Sequence, residues 1–419
     1  MSTQLCIFED SAVTQLHPLV YTRPVCDLRC GVLTLREKIV HAYAEMPLAL
    51  RVRPYLAPLV REQHRGASVN ESLGEECLLI NGRVLVNAAF RTAVAPEGPD
   101  LVYVSGGVPV AARLSGRNLR AALDPETVFL DLTEFTGIER QELSATLISY
   151  PWDLVAHNGD QIRADLEILA PRAGSPRAGT VYQGAHLLGS ENIWIGEGSK
   201  VKPGVVLDAE EGPIVIGRNV TIFPNATIEG PAAIGDNSKI KIGAKIYEGT
   251  TIGPLCKVGG EVEASIIHAA SNKQHDGFLG HAYLGMWVNL GADTNNSDLK
   301  NNYGAVRVII NGESVNSGSM FVGLTMGDHS KSGINTMFNT GTVVGVSSNV
   351  FGAGFPPKYV PSFSWGGAEG LTTYDPARAL EVARRVMQRR DRVLSAAGEA
   401  VLREVFAMTR AERQGAGIE

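Results

Sequence analysis

Residues 234–257 read IGDNSK IKIGAK IYEGTT IGPLCK, six-residue units that each open on isoleucine. Upstream, from Asn192 onward, IGEGSK, VKPGVV, IGRNV, TIFPNAT and IEGPAA keep an aliphatic residue near every sixth position. A helix repeats its apolar face about every 3.6 residues and a strand about every two, so neither explains this period. A solenoid does. Each unit forms one flat side of a triangular coil, with the aliphatic residue pointing inward and small residues turning the corner. The pattern predicts a parallel β-helix of the left-handed kind that hexapeptide repeats form. The chain has 46 glycines, above the ~7% of average usage, and the excess is concentrated in its second half.

The rhythm breaks at about Ala264, resumes in MWVNLGAD, breaks in TNNSDLKNNYGAV and returns in VRVIINGESV, MFVGLTMGD and SGINTMFNTGTVVG. A narrow coil has no room for inserted chain, so the breaks predict extruded loops, and loops on a rigid scaffold are where sites are built. The first such loop, SNKQHDGFLGHAYLG at 271–285, gathers Lys273, Gln274, His275 and Asp276. The aromatics and prolines of FGAGFPPKYVPSFSWGG (351–367) either line a coenzyme cleft or cap the open end of the coil.

Residues 1–167 differ. LCIF, CLLINGRVLVN, LVYVSGGVPVAARL and TVFLDL read as strands and VLTLREKIVHAYAE as a helix, which is an α/β pattern. ILAPRAGSPRAGT (168–180) reads as a linker, 181–367 as the β-helix and 368–419 as a C-terminal helical segment. That segment starts with Asp375 as N-cap and Pro376 at the first helical position. Leu394, Ala397, Val401, Val405 and Met408 then form one apolar stripe, which packs on the coil or on another subunit.

A formal charge of −6 over 419 residues excludes a broad nucleic-acid surface and leaves room for a local basic pocket. The five cysteines form no CxxC pair and read as free thiols of a reducing compartment. The N-terminus has no signal-peptide pattern and no apolar run reaches the ~18 residues of a membrane span, so a cytoplasmic protein is expected.

The hexapeptide units, HDGFLG, VNLGAD and the Asn-rich stretch after them resemble the bifunctional N-acetylglucosamine-1-phosphate uridyltransferase/glucosamine-1-phosphate acetyltransferase family, in its divergent bacterial branch. The resemblance extends to LHPLVYTRPVCDLRCGVLTLREK near the N-terminus. It implies a nucleotidyltransferase-like (Rossmann-like) first domain and an acetyl-CoA-dependent second domain. His275, three residues before Phe278-Leu279-Gly280, takes the place of the general base that accepts a proton as the sugar amine attacks the thioester. An imidazole titrating near neutrality suits that task. Asn289 matches an asparagine that binds the acceptor sugar, and Phe278 replaces a tyrosine. Asp298-Leu299 stand where the family has Asn-Tyr. For the sugar phosphate the candidate cations are Lys241, Lys273 and Lys300. His268, His275 and His281 lack the spacing of a zinc site, so no metal is assigned there.

The first domain departs further. Its first strand, LCIFED, is not followed by the glycine-rich loop that cradles a triphosphate. Arg23, Arg29 and Lys38 are the candidate phosphate-binding cations, with Asn81 and Asp153 as further candidates. Arg83 occupies the acidic position of an Asn-Gly-Asp metal motif, and an arginine repels magnesium. Mg2+ is therefore expected only if this domain transfers nucleotides from UTP or another nucleoside triphosphate. Three readings follow: a bifunctional enzyme of amino-sugar activation, an acyltransferase with a degenerate first domain, or a non-catalytic sugar-nucleotide-binding protein. By the same resemblance a homotrimer is expected, with acyl-CoA between adjacent coils.

Overall fold

The computed structural model describes residues 3–122, 129–134, 137–169 and 177–418. They divide into two compact units. The first comprises residues up to Leu16, Thr22–Leu28 and Leu33–Ser149; the second comprises His17–Tyr21, Arg29–Val32 and Tyr150 onward. Helix Pro151–Leu169, placed by the sequence reading in the first domain up to 167, thus groups with the second. The cause is its packing: Asn158, fully buried, donates to Gly249 O (2.7 Å) and Thr251 Oγ1 (3.0 Å) of the coil. Of the expected linker, residues 170–176 lie outside the described residues.

The first unit is built on β1 (Gln4–Phe8), β2 (Leu48–Arg51), β3 (Ser68–Val69), β4 (Glu76–Asn81), β5 (Leu101–Ser105), β6 (Val108–Ser115) and β7 (Arg140–Glu142). The sheet order is β3-β2-β1-β4-β6-β5-β7. β1 runs parallel to both β2 and β4 and is buried along Leu5, Cys6, Ile7 and Phe8. A central parallel strand is covered on both faces, hence its unbroken apolar run. The chain winds from β1 outward through β2 to β3, then returns to β4 on the other side of β1. The gap between the ends of β1 and β4 is therefore a switch point, where open α/β sheets bind ligands.

In the second unit the expected left-handed β-helix is present, as three stacks of short parallel strands. Face 1 starts at Ile193–Ile195, face 2 at Thr180–Val181 and face 3 at His186–Leu188. Register explains the six-residue period. On face 1 Ile195, Ile216, Ile234, Ile252, Ile267 and Leu284 stack inward in one column. On face 3 Leu207, Ile228, Ile246, Val262 and Leu279 do the same. Corners need left-handed backbone, and asparagine tolerates it: Asn219, Asn225 and Asn237 have φ of 54°, 63° and 61°.

Two expectations about interruptions are corrected. Residues 264–285 do not leave the coil: Ile266–Ala269, Asn272–Lys273, Phe278–Gly280 and Tyr283–Met286 continue the three faces in register. Of the polar residues that suggested a loop, Gln274, His275 and Asp276 form an ordinary corner, because a corner side chain meets solvent whatever the period of the faces, while Lys273 lies on the strand of face 2. VRVIINGESV, in turn, is not coil. Arg307–Ile310 and Glu313–Asn316 form an antiparallel hairpin inside the chain extruded between Asn296 and Thr325. Its Val306, Val308 and Ile310 are buried with Trp152 and Val343. At the far end Tyr359–Val360 is the last strand of face 1, and Ser364–Gly367 continues face 2 before turning back with Gly370–Thr373 as a closing hairpin. Phe351 is edge-on to Trp365 at 5.2 Å, so residues 351–367 belong partly to the last coil and partly to its cap.

Asp375 caps helix Pro376–Gln388 by accepting from Arg378 N (2.7 Å). Val401 and Val405 of helix Ala396–Met408 are buried, while Met408 of the expected stripe is 44% exposed. None of the five cysteines is in a disulfide. Among the described residues no helix is long and apolar enough to cross a membrane.

The inward columns carry the stability. Replacing Ile240, fully buried on face 2, by alanine should cost about 2–5 kcal/mol through lost burial and the cavity left behind. The same change at Ile242, 67% exposed two residues on, should stay within about 0.5 kcal/mol. Equilibrium denaturation of both variants checks the inward assignment.

Candidate functional site

His275 sits at the corner between faces 2 and 3, with an exposed imidazole that makes no hydrogen bond among the described residues. Its main chain is held from within. Lys273 continues the inward column Val201, Ile222, Ile240, Val258 on face 2. A lysine therefore stands where every earlier coil has an aliphatic residue, and it is 2% exposed. Its Nζ donates to Gly259 O (3.0 Å) and to His275 O (2.9 Å). Gly260, with φ of +70°, makes room: a Cβ there would stand 2.6 Å from that Nζ. Burial pulls the ammonium down from 10.5 to about 8, against the pull of Asp276, Asp293 and Glu261.

This placement removes Lys273 from the phosphate-binding candidates, since its ammonium is spent on main-chain carbonyls. Lys300 goes the same way, donating to Ala305 O (2.7 Å) in the extruded chain. Lys241 alone of the three faces outward without such a bond, on face 2, its Nζ 5.5 Å from the ring centre of Phe223. Asn289 lies on face 2 between Asn272 and Lys331, and its Oδ1 accepts from Asn272 Nδ2 (3.2 Å). Phe278 opens the next face 3 strand, half-buried, beyond the corner that carries His275. The corner and its two flanks thus bring together His275, Phe278 and Asn289.

The three histidines are not gathered. His268 is buried on face 1 against Tyr283 Oη (3.0 Å), and His281 is at the corner between faces 3 and 1. Among the described residues no cluster of three or more His, Cys, Asp or Glu side chains is arranged for a metal. His281 has a partner that sequence reasoning missed: Asp298 Oδ2 at 2.8 Å, with Phe321 stacked on the ring at 4.9 Å. The signal was present as distance along the chain, because His281 and Asp298 are one coil apart. Face 3 is acidic here. Burial and neighbouring carboxylates raise the carboxyls of Glu229 and Glu263 above the usual range.

In the first unit a cavity of about 490 Å3 opens at the β1/β4 switch point, lined by Phe8, Asp10, Arg83, Pro109, Leu130 and Thr133 among others. Arg83 is buried there. Its Nε and Nη2 donate to Asp10 Oδ1 (2.9 Å) and Oδ2 (2.6 Å), its Nη1 to Ile148 O (3.0 Å), and Asn81 Nδ2 also donates to Asp10 Oδ2 (2.8 Å). Both oxygens of the one carboxylate at the end of β1 that faces the cavity are committed to a guanidinium and an amide. The other carboxylate of the lining, Asp131, accepts from Thr133 N (2.8 Å) and Oγ1 (2.6 Å) through Oδ1. A divalent cation there would meet the Arg83 charge and no pair of uncommitted carboxylates, which is a poor fit.

The nucleotide-binding candidates are corrected likewise. Arg23 (5% exposed) and Lys38 (2%) are buried, and neither lines the cavity. The carbonyl of Arg23 accepts from Arg53 Nη2 (2.8 Å), and Arg53 is itself paired with buried Glu9 (3.1 Å). Arg29 belongs to the second unit, its N–H donating to Tyr283 Oη (3.0 Å) and its guanidinium to Val32 O. Asn81 serves Asp10, and Asp153 accepts from Tyr150 N (2.9 Å) at the start of helix Pro151–Leu169. The TRPVCDLRCG run is structural in both units.

Residues 5–173 match the family model described as sugar nucleotidyl transferase. The bifunctional protein GlmU of Synechococcus sp. (strain CC9311) is 29% identical over 191 residues, 45% of this chain and 37% of that protein. GlmU of Acidithiobacillus ferrooxidans (strain ATCC 53993) is 38% identical over 104 residues, 24% of this chain and 22% of that protein. The chain is a divergent relative of the GlmU proteins. It spans between about a fifth and two fifths of the length of these GlmU relatives. Among solved structures, a UDP-N-acetylglucosamine acyltransferase from Campylobacter jejuni is 12% identical, with 56% of this chain and 82% of that chain covered and a TM-score of 0.27. The Francisella novicida enzyme of that name is 15% identical, covers 56% and 91%, and scores 0.26. Scores that low add nothing to the strand registers above.

Two measurements follow. Because the folded chain releases the Lys273 proton near 8 and the unfolded chain near 10.5, the unfolded state binds more protons between these values, and stability contributed by Lys273 rises with pH across that window. The gap in unfolding free energy between wild type and Lys273→Met should widen by up to about 3 kcal/mol from pH 8 to 10.5, read by urea denaturation at each pH. Millimolar magnesium should leave the thermal midpoint of the full chain unchanged relative to EDTA; a rise that vanishes in Asp10→Asn would show that Asp10 holds metal after all.

Proposed function

We propose that the coil is an acyl-CoA-dependent acyltransferase acting on the amine of an amino-sugar phosphate or its nucleotide derivative, with His275 as general base. The observation that carries this reading is the corner itself: an exposed, unengaged imidazole whose main chain is fixed from the core by Lys273. In the reaction the acceptor nitrogen attacks the thioester carbonyl and its proton passes to the imidazole. A C–N bond forms, the C–S bond breaks, and the thiol leaves with a proton. No covalent enzyme intermediate is needed. Phe278 and Asn289, on the two sides of the corner, would hold the sugar ring. The resemblance to trimeric β-helix acyltransferases supports a homotrimer with the donor between coils.

For the first unit, the family match over 5–173 and the cavity at the switch point support binding of a sugar nucleotide, UTP or another nucleoside triphosphate. Nucleotidyl transfer is the second activity this reading allows. The Arg83–Asp10 pair gives no place in it to magnesium.

Acyl transfer is tested by following free thiol with acetyl-CoA and glucosamine-1-phosphate. His275→Gln should lower kcat by about 10²–10⁴-fold while leaving the unfolding transition in place, since the side chain is exposed. Wild-type rates in that variant would remove His275 from the mechanism.

A further inference from the structure

Face 2 carries an unusual column of charge. Its outward ladder reads Lys200, Thr221, Lys239, Lys257 on successive coils. The next outward position reads Lys202, Phe223, Lys241, with both ammonium groups over one ring, at 4.5 and 5.5 Å from its centre. The C-terminal segment adds Arg389 and Arg390. Arg390 is docked on the same coils, its guanidinium donating to Leu255 O and to Asn272 Oδ1 (2.6 Å). Among the described residues none of these seven cations makes an ion pair. The contrast with the next face is sharp, where Lys245 is paired with Glu261 at 3.2 Å.

These charges are close enough to feel one another. The Lys257 ammonium lies below the usual lysine range through burial first and then through Arg390, Lys239, Arg389 and Lys241. A chain of net charge −6 has abundant carboxylates with which to neutralise such a column, yet among the described residues none pairs with it. Mutual repulsion on a folded surface is relieved when an anion is bound. Stacked coils lie about 4.8 Å apart, so Lys200 to Lys257 spans on the order of 14 Å. That span suits several phosphate groups on one small molecule better than a single one.

We propose that this strip of face 2 binds a polyphosphorylated nucleotide through Lys200, Lys239, Lys241, Lys257 and Arg389, with Arg390 docking the C-terminal segment beside it. In the acyl-transfer reading, on which the identity of the ligand rests, the nucleotide is the 3′-phosphate and 5′-diphosphate end of the acyl donor. A nucleoside triphosphate is the other source of the same chemistry. The strip leads along face 2 toward Asn272 and Asn289, on the His275 side of the coil. A donor anchored by its phosphates would point its thioester end along that line.

The test is calorimetric titration of the full-length protein with coenzyme A, dephospho-coenzyme A and UTP. The variants are Lys239→Ala/Lys257→Ala and, as a control on face 3, Lys245→Ala. Outward positions tolerate alanine, so all should fold. The double variant should bind coenzyme A at least about tenfold more weakly, from two lost charge-assisted contacts, with the control unchanged. Tighter binding of coenzyme A than of dephospho-coenzyme A assigns the acyl donor; tighter binding of UTP assigns a triphosphate. Equal coenzyme A binding by wild type and double variant would overturn the proposal, as would no binding of any of the three. A single-stranded oligonucleotide bound more tightly than all of them would also overturn it, making the strip a nucleic-acid surface. Thiol release assayed in the same variants separates the two ideas. Coenzyme A bound at the strip without thiol release retires the acyl-transfer reading alone, and thiol release that is indifferent to the double substitution retires the strip alone.

Discussion

Every coil of this prism must put a side chain at the same inward point as the coils on either side, about 4.8 Å away. With so little space, the inward position accepts aliphatic residues and almost nothing else. Among the described residues Asn296 and Ser332 are small polar departures, paired with Phe338 and Val350, and Lys273 is the charged one. Its stem fills the column below Val258 while its ammonium reaches the two carbonyls of the adjoining corner. Burying a cation there is tolerable only because both carbonyls would otherwise need partners and because three carboxylates stand near. The consequence is a corner whose backbone is tied to the core, and that corner bears His275.

Because inward positions are fixed by packing, the outward positions are free to differ, and the three faces have diverged. Face 1 is covered by helix Pro151–Leu169 and the segment around Arg29, through Asn158, Thr251 and Tyr283. Face 2 carries the outward Lys200, Lys239 and Lys257, which make no ion pair among the described residues. Face 3 carries glutamates whose carboxyls are raised by burial first and then by neighbouring carboxylates. A β-helix concentrates charge in this way because residues about one coil apart in sequence become ladder neighbours. A modest compositional bias at one position of the repeat then becomes a continuous strip.

The same geometry explains what was legible in the chain. The period of six announced the coil, since it repeats the inward column directly. Residues 271–285 misled because Lys273, Gln274, His275 and Asp276 in a row look like a break, whereas the last three lie at a corner and Lys273 points inward. Val308 and Ile310 misled in the other direction: their alternation fits a coil face but belongs to a hairpin packed on Trp152. Arg83 was recognised as unfit for a metal from its type alone. Its partner Asp10, seventy-three residues away, became visible only when β1 and β4 lay side by side. The cation strip was illegible for the same reason, since Lys200, Lys239 and Lys257 meet only through register.

Segregated charge has a direct consequence for the acyl transfer proposed above. An amino sugar arrives as an ammonium ion, which the glutamates of face 3 attract. Those same carboxylates stabilise the protonated form, and a protonated amine cannot attack a thioester. The proton must therefore be taken by a group outside the acidic face yet within reach of it. The corner where face 2 passes into face 3 is such a place, and under the proposal the acceptor would be drawn from one side and the phosphate-bearing donor from the other. On this argument the opposite charges of the two faces and the imidazole at their shared corner form one device, and neither face alone would place both substrates at His275.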